Sequence, residues 1–217
     1  MITVIAGVNG AGKSSVVGSS IRSKGGVYHN PDEKAQALLS ENPDLELSAA
    51  NGQAWSYGFE KLTLAVSENL DYIFETTLGG NSVPEKLHEA ADAGQGLRII
   101  FCGLDTPELH MARVQARVKR GGHDIPEAKI RDRWVRSIFN MTQLIPKCQD
   151  VKVYDNSQPL VNGKPNPILL FAMKDGVFTS QPVKDMPDWA RPLATAAMEV
   201  YNDPMNILSN LNTNRRT

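Results

Sequence analysis

Two cysteines, Cys102 and Cys148, are all that the 217 residues contain, and neither sits at a metal-type spacing. Cys102 lies in an apolar run and Cys148 at the end of an expected helix, so both read as ordinary buried or half-buried thiols. No apolar run approaches the roughly 18 residues needed to span a bilayer, and no charged, apolar and cleavable signal pattern precedes the first expected strand. The expected location is the cytoplasm, with no membrane partner. An excess of charge of either sign is missing too. The chain carries 23 Lys and Arg against 24 Asp and Glu, a formal charge of -1, which excludes global attraction to nucleic acid. Any anion binding must be local. Repeats and low-complexity segments are absent as well.

What the chain does have is enough apolar residue, 41% against 22% charged, to bury a full core. Ile2 to Ala6 is a β-branched apolar run that suits a central strand buried on both faces. A helix is expected over Lys13 to Arg22, ended by Gly25-Gly26, then a short strand at Val27 to His29. Asn30-Pro31-Asp32 turns the chain into a helix that Asp or Asn can cap. A long helix is expected over 48–69 with Ser48 as cap, a strand over 71–77, a loop over 78–83 and a helix over 84–93. A strand then covers 97–104, a helix opens at Thr106-Pro107, and another covers 126–147 with Asp124 as its cap. A fifth strand is expected over 151–154, a hairpin from Ile168 with Asp175-Gly176 in its turn, a helix over 188–201 and a polar, loose tail. The alternation predicts an α/β fold, a P-loop kinase-like three-layer sandwich with a mainly parallel five-stranded sheet plus a C-terminal hairpin and helix extension. Residues 1–157 form the expected kinase domain, and 158–217 an extension packed on it.

Between the first strand and the first helix stands GVNGAGKS. Gly7, Gly12, Lys13 and Ser14 occupy the fixed positions of GxxxxGK[ST], in the strand-to-helix context that this motif requires. Glycines let backbone amides converge on phosphate oxygens, and the helix N-terminus adds its positive end. The cradle is therefore Gly7, Asn9, Gly10, Ala11, Gly12, Lys13, Ser14 and Ser15, with Lys13 reaching the outer phosphates and the Ser14 hydroxyl helping to hold Mg2+. ATP is the expected nucleotide, with GTP as the alternative.

A cradle alone does not distinguish a kinase from a motor or switch. No LSGGQ-like segment and no NKxD motif is present. Glu75-Thr76-Thr77 instead ends the third expected strand, at the sheet edge where ligands bind in this architecture; these groups hold an acceptor or complete the magnesium shell. Asp32 follows the second expected strand toward the same edge, as a proton acceptor for a substrate hydroxyl, as a helix cap, or as both. Arg113, Arg117, Arg120, Arg131, Arg133 and Arg136 flank a Gly-Gly-His-Asp turn able to close over phosphates, most of them expected on a solvated face. His123 bonds the nucleotide or braces the loop. Trp55, Tyr57, Trp134 and Tyr154 are expected in core or rim packing.

Taken together GVNGAGKSS, NPDE, FETTLGG, RVKRGGHDIPEAKIRDRW and VYDNS resemble the zeta-toxin family and its compact relatives labelled predicted ABC-type ATPases, in order from residue 2 to about 157. The ABC signature itself is absent. The resemblance implies a small-molecule kinase using ATP and Mg2+ on the 3'-hydroxyl of a UDP-activated amino sugar such as UDP-N-acetylglucosamine, blocked by a protein antitoxin; relatives of the fold also use nicotinamide dinucleotides. It implies that Asp32 is the catalytic aspartate and that Glu75 and Thr76 lie at the acceptor, where Asn30, Thr77 and Arg113 are expected as well. Arg113, Arg117 and Arg120 compete for one phosphate-stabilising role, and Arg133 takes another. The rival classes are a regulatory ATPase that transfers only to water and a nucleic-acid end kinase, which the near-neutral charge opposes.

Overall fold

A computed structural model of the chain describes residues 1–175 and 177–203. One six-stranded sheet runs through it in the order β2-β1-β3-β4-β5-β6, where β1 is Ile2–Ala6, β2 Tyr72–Thr76, β3 Leu97–Gly103, β4 Asp150–Asp155, β5 Ile168–Lys174 and β6 Val177–Ser180. The first four strands are parallel, with Ile2 opposite both Tyr72 and Leu97. The last two form an antiparallel hairpin that continues the same sheet against β4. Asp175 enters its turn at φ 49°; Gly176 and the tail from residue 204 lie outside the described residues.

Six strands replace the expected five plus a separate hairpin, and one parallel strand shrinks. Val27–His29 is present only as a bridge between His29 and Phe74, held by His29 N–H donating to Ile73 O at 2.9 Å and Glu75 N–H to His29 O at 2.8 Å. Val27, 86% exposed, never reaches the sheet. Pro31, which lacks an N–H, starts the next helix two residues after His29, so the pairing cannot run on beyond Asn30.

The helices are α1 (Ser19–Ser23, preceded by a π-helical turn Ser14–Gly18), α2 (Pro31–Glu41), α3 (Leu47–Ser67), α4 (Ser82–Asp92), α5 (Pro107–Val118), α6 (Glu127–Leu144) and α7 (Arg191–Asn202). Thr106 caps α5 by accepting from Leu109 N–H, as expected. At α3 the expected Ser48 cap fails, because the helix begins one residue earlier after Glu46 with no side-chain cap bond. At α6 Asp124 does not cap either; its Oδ1 accepts from Ile125 N–H while Pro126 sets the helix start.

Alternation along β1 divides the core into two layers. Ile2, Val4 and Ala6 point to the side covered by α3, α4, α6 and α7, where Leu62, Leu87, Met141 and Leu193 bury against them. Ile5 points to the other side, where Val17, Tyr28, Ala11 and Cys102 are buried with it in a smaller cluster and partly buried side chains such as Val16, Ile73 and Ile100 pack against them. Fully burying each large aliphatic chain contributes about 1.5–3 kcal/mol, so most of the stability sits in the thicker layer. Both cysteines are buried and unpaired, and burial pushes each thiol up to about 12.

Candidate active site

The glycine loop follows β1 because its backbone goes where a side chain cannot. Gly7 has φ +140°, and a Cβ there would overlap the carbonyl of Cys102 on β3. Gly12 has φ +87°, and its Cβ would strike the Asn156 side chain, whose Nδ2 donates to Ala11 O at 2.9 Å. The loop is braced from α5 as well. His110, 1% exposed, donates through Nδ1 to Asn9 O at 2.8 Å; a carbonyl only accepts, which fixes the tautomer. Burial pushes its imidazole down to about 4. Neither His110 nor Asn156 stands out by sequence spacing, since each reaches the loop only through the fold.

Lys13 is 7% exposed and faces Glu75, 8% exposed, at 3.6 Å. Buried charges need such partners. The other Glu75 oxygen accepts from Ser14 Oγ at 2.9 Å, and Asn30 Nδ2 contacts Ser14 Oγ at 3.4 Å. The parallel register of β1 and β2 sets this up: Ala6 lies opposite Thr76, so the end of β2 and the start of the glycine loop share one sheet edge. Ser15 turns away and donates to Gly12 O.

Asn30, not Asp32, caps α2. Its Oδ1 accepts from Asp32 N–H at 3.0 Å and Glu33 N–H at 3.5 Å. This leaves the Asp32 carboxylate free of capping, and it pairs with Arg117 at 3.2 Å. Asp32 lines a cleft of about 610 Å³ together with Lys13, Asn30, Glu75, Thr76 and Thr77. His123 and Arg133 line it as well.

The arginines separate by position. Arg133 is half-buried on α6, with Nη1 donating to Asn9 Oδ1 at 2.8 Å, and burial lowers its pKa. Arg117 ties Asp32 to the turn through the His123 carbonyl at 3.5 Å. None of Arg113, expected at the acceptor, and Arg117 and Arg120, expected at the phosphates, is among the residues lining the cleft: Arg113 donates to Asn156 O at 2.6 Å beside β4, and Arg120, two residues past the end of α5, donates back to Ala116 O on that helix. Arg131 and Arg136 are exposed and paired with Glu108, Glu127 and Asp132. The hydroxyls of Thr76 and Thr77 accept from Leu78 and Gly79 N–H, shaping the loop after β2. Trp55, expected in packing, is half-exposed and lines the cleft with Phe59.

No family model matches the chain. An uncharacterized protein of Haemophilus influenzae is 29% identical over 129 residues, 59% of this chain and 88% of that one. Among solved structures, a chain of the native AvrRxo1-ORF1:-ORF2 complex superposes with a TM-score of 0.61 at 11% identity, over 94% of this chain and 64% of that chain. The chain shares that fold. Crystals of the same complex with ATP give 0.58 at 10% identity, over 93% and 63%. This chain thus spans less than two thirds of that neighbour's length. Among the described residues no helix is long and apolar enough to cross a membrane.

Proposed function

We propose that the protein is a phosphotransferase that moves the γ-phosphate of ATP onto a hydroxyl of a small molecule. The observation that carries this reading is Asp32: released from capping by Asn30, its carboxylate stands in a cleft shared with Lys13. A switch that transfers only to water needs no chamber of about 610 Å³ beside its cradle, whereas an acceptor does.

The cradle amides and Lys13 hold the triphosphate, and Lys13 exchanges its Glu75 partner for phosphate oxygens. Ser14 Oγ and Glu75, hard oxygen donors 2.9 Å apart, fit Mg2+, which takes few carboxylates and completes its shell with phosphate and water. Among the described residues no cluster of three or more His, Cys, Asp or Glu side chains is placed to hold a metal, which suits an ion carried with the nucleotide. When bound, Mg2+ neutralises charge on the phosphates. Asp32 accepts the proton of the acceptor hydroxyl as its oxygen bonds to the γ-phosphorus; the bond to the β-bridging oxygen breaks and ADP leaves with the electron pair. Arg133, anchored on Asn9, offsets charge on the transferring group.

The resemblance in sequence supports a nucleotide-activated amino sugar of the UDP-N-acetylglucosamine kind as acceptor, with a nicotinamide dinucleotide as the second candidate. The two-protein composition of the AvrRxo1 crystals supports a protein partner, and the resemblance in sequence supports an antitoxin as that partner. The test is incubation with γ-labelled ATP, Mg2+ and a panel of UDP-sugars and dinucleotides, with products identified by mass. Label in a new phosphomonoester is expected; free phosphate alone, whatever is added, overturns the proposal.

A further inference from the structure

Helix α3 turns one stripe toward the cleft. Asn51, Trp55, Gly58, Phe59 and Leu62 all line it, at the spacing that puts side chains on a single helical face. Leu62 is fully buried, yet Trp55 one turn beyond Phe59 stays 50% exposed. The indole lies nearly parallel to the Phe59 ring, with centroids 5.1 Å apart and planes 7° apart. One face of Trp55 is therefore backed, and among the described residues no other ring or cation stacks on it. Trp189, by contrast, is 4% exposed and packs on Phe101.

An indole held flat inside a cleft, with one stacking face left over, is a surface for another flat ring. Asn51 stands one turn before Trp55 on the same stripe, and its amide offers a donor and an acceptor side by side. That pair complements the edge of a ring carrying both kinds of group. An alkyl chain would use neither the parallel geometry nor the amide.

We infer that Trp55 and Asn51 form the subsite that chooses the acceptor: Trp55 stacks a heteroaromatic ring of the acceptor, and Asn51 bonds to that ring's polar edge. The inference rests on the phosphotransferase reading, because the ring is what holds the acceptor while its hydroxyl meets Asp32. Trp55 acts as a specificity residue, with no part in the bond exchange.

The test uses calorimetry on the full chain, its cradle saturated with a non-hydrolysable ATP analogue and Mg2+ so that added probes reach only the cleft. UDP and ADP are the ring-bearing probes; ribose 5-phosphate and N-acetylglucosamine 1-phosphate are the controls without an aromatic ring. At least one nucleoside diphosphate should bind about tenfold or more tightly than either control. Trp55→Ala should abolish that preference, Trp55→Phe should restore it to within about threefold, and Asn51→Ala should change the ratio between UDP and ADP. Half-exposure of Trp55 makes these changes mild for folding. The proposal is overturned if the controls bind as tightly as the nucleoside diphosphates, or if Trp55→Ala binds them as the parent does. No transfer is needed for this measurement. A protein that shows ring binding but moves label only to water would sink the kinase reading and leave the subsite standing.

Discussion

The two banks of the cleft are built in opposite ways. The cradle is one continuous stretch, Gly7 to Ser15, whose shape follows from positive φ at Gly7, Gly10 and Gly12 and whose outer surface is held by His110 and Asn156. The acceptor bank draws on α2, α3, the loop after β2 and the start of α6, and it leaves an indole half in solvent. Backbone amides treat every triphosphate alike, so a compact local loop suffices for the donor. Choosing an acceptor needs side chains of different chemistry, and only the folded sheet edge brings those together.

Substitutions that act on one bank and spare the other put this division to the test, and Asp32 has the largest expected effect. Asp32→Ala should lower kcat about 1000-fold, within the range of a lost general base, while ATP affinity stays within about threefold. Rapid-quench transfer assays and equilibrium nucleotide binding report the two separately. If ATP affinity falls as steeply as kcat, the banks are not independent and Asp32 belongs to the donor side.

Gly7→Ala strikes the other bank. Alanine at φ +140°, with its Cβ overlapping the Cys102 carbonyl, should cost more than about 3 kcal/mol of stability, since strain and overlap add. The urea midpoint would show it, and an unchanged midpoint would mean that the loop has another conformation available.

The same division explains what could be read before folding. The strand, the GxxxxGKS loop and the Thr106 cap are local, and they stand where the residue pattern puts them. Val27–His29 shrinks to a single bridge although its residue types favour a strand, because propensity acts only where a neighbouring strand is in reach and Val27 stands in solvent away from the sheet. Asn30 and Asp32 both qualify as caps by residue type, and only the backbone at Asn30, φ -114° and ψ 113°, decides between them. Trp55 was invisible as a cleft residue because helical spacing shows that a face exists, not whether the sheet or a cavity lies opposite it.

Among the arginines the contrast sharpens to one helix against another. Arg133 on α6 touches the cradle through Asn9, whereas Arg120, just past the end of α5, donates back to Ala116 O on that helix. Arg133→Ala should lower kcat about 100-fold, as for a lost stabiliser of transition-state charge. Arg120→Ala should stay within about twofold. Equal losses from both would show that the turn at Gly121-Gly122 rearranges when substrates bind.

The smallest effect concerns the brace behind the cradle, and it is one of pH. His110 is neutral in the folded chain down to about 4, while an unfolded imidazole titrates near 6.5. A folded pKa that lies below the unfolded one means that the unfolded chain takes up the proton first. The contribution is complete above about pH 6.5 and is lost as pH falls through 6.5 toward 4, by up to about 1.4 kcal/mol per unit. His29 and His88 are also pushed down by burial, so the parent protein sums three slopes of one sign. His110→Asn should lose stability at pH 7.5, where the bond to Asn9 O is weakened, yet lose roughly 2 kcal/mol less than the parent between pH 7.5 and 5. Urea midpoints at the two pH values measure this. Parallel slopes would show that His110 carries its proton in the native state, as a second donor behind the cradle.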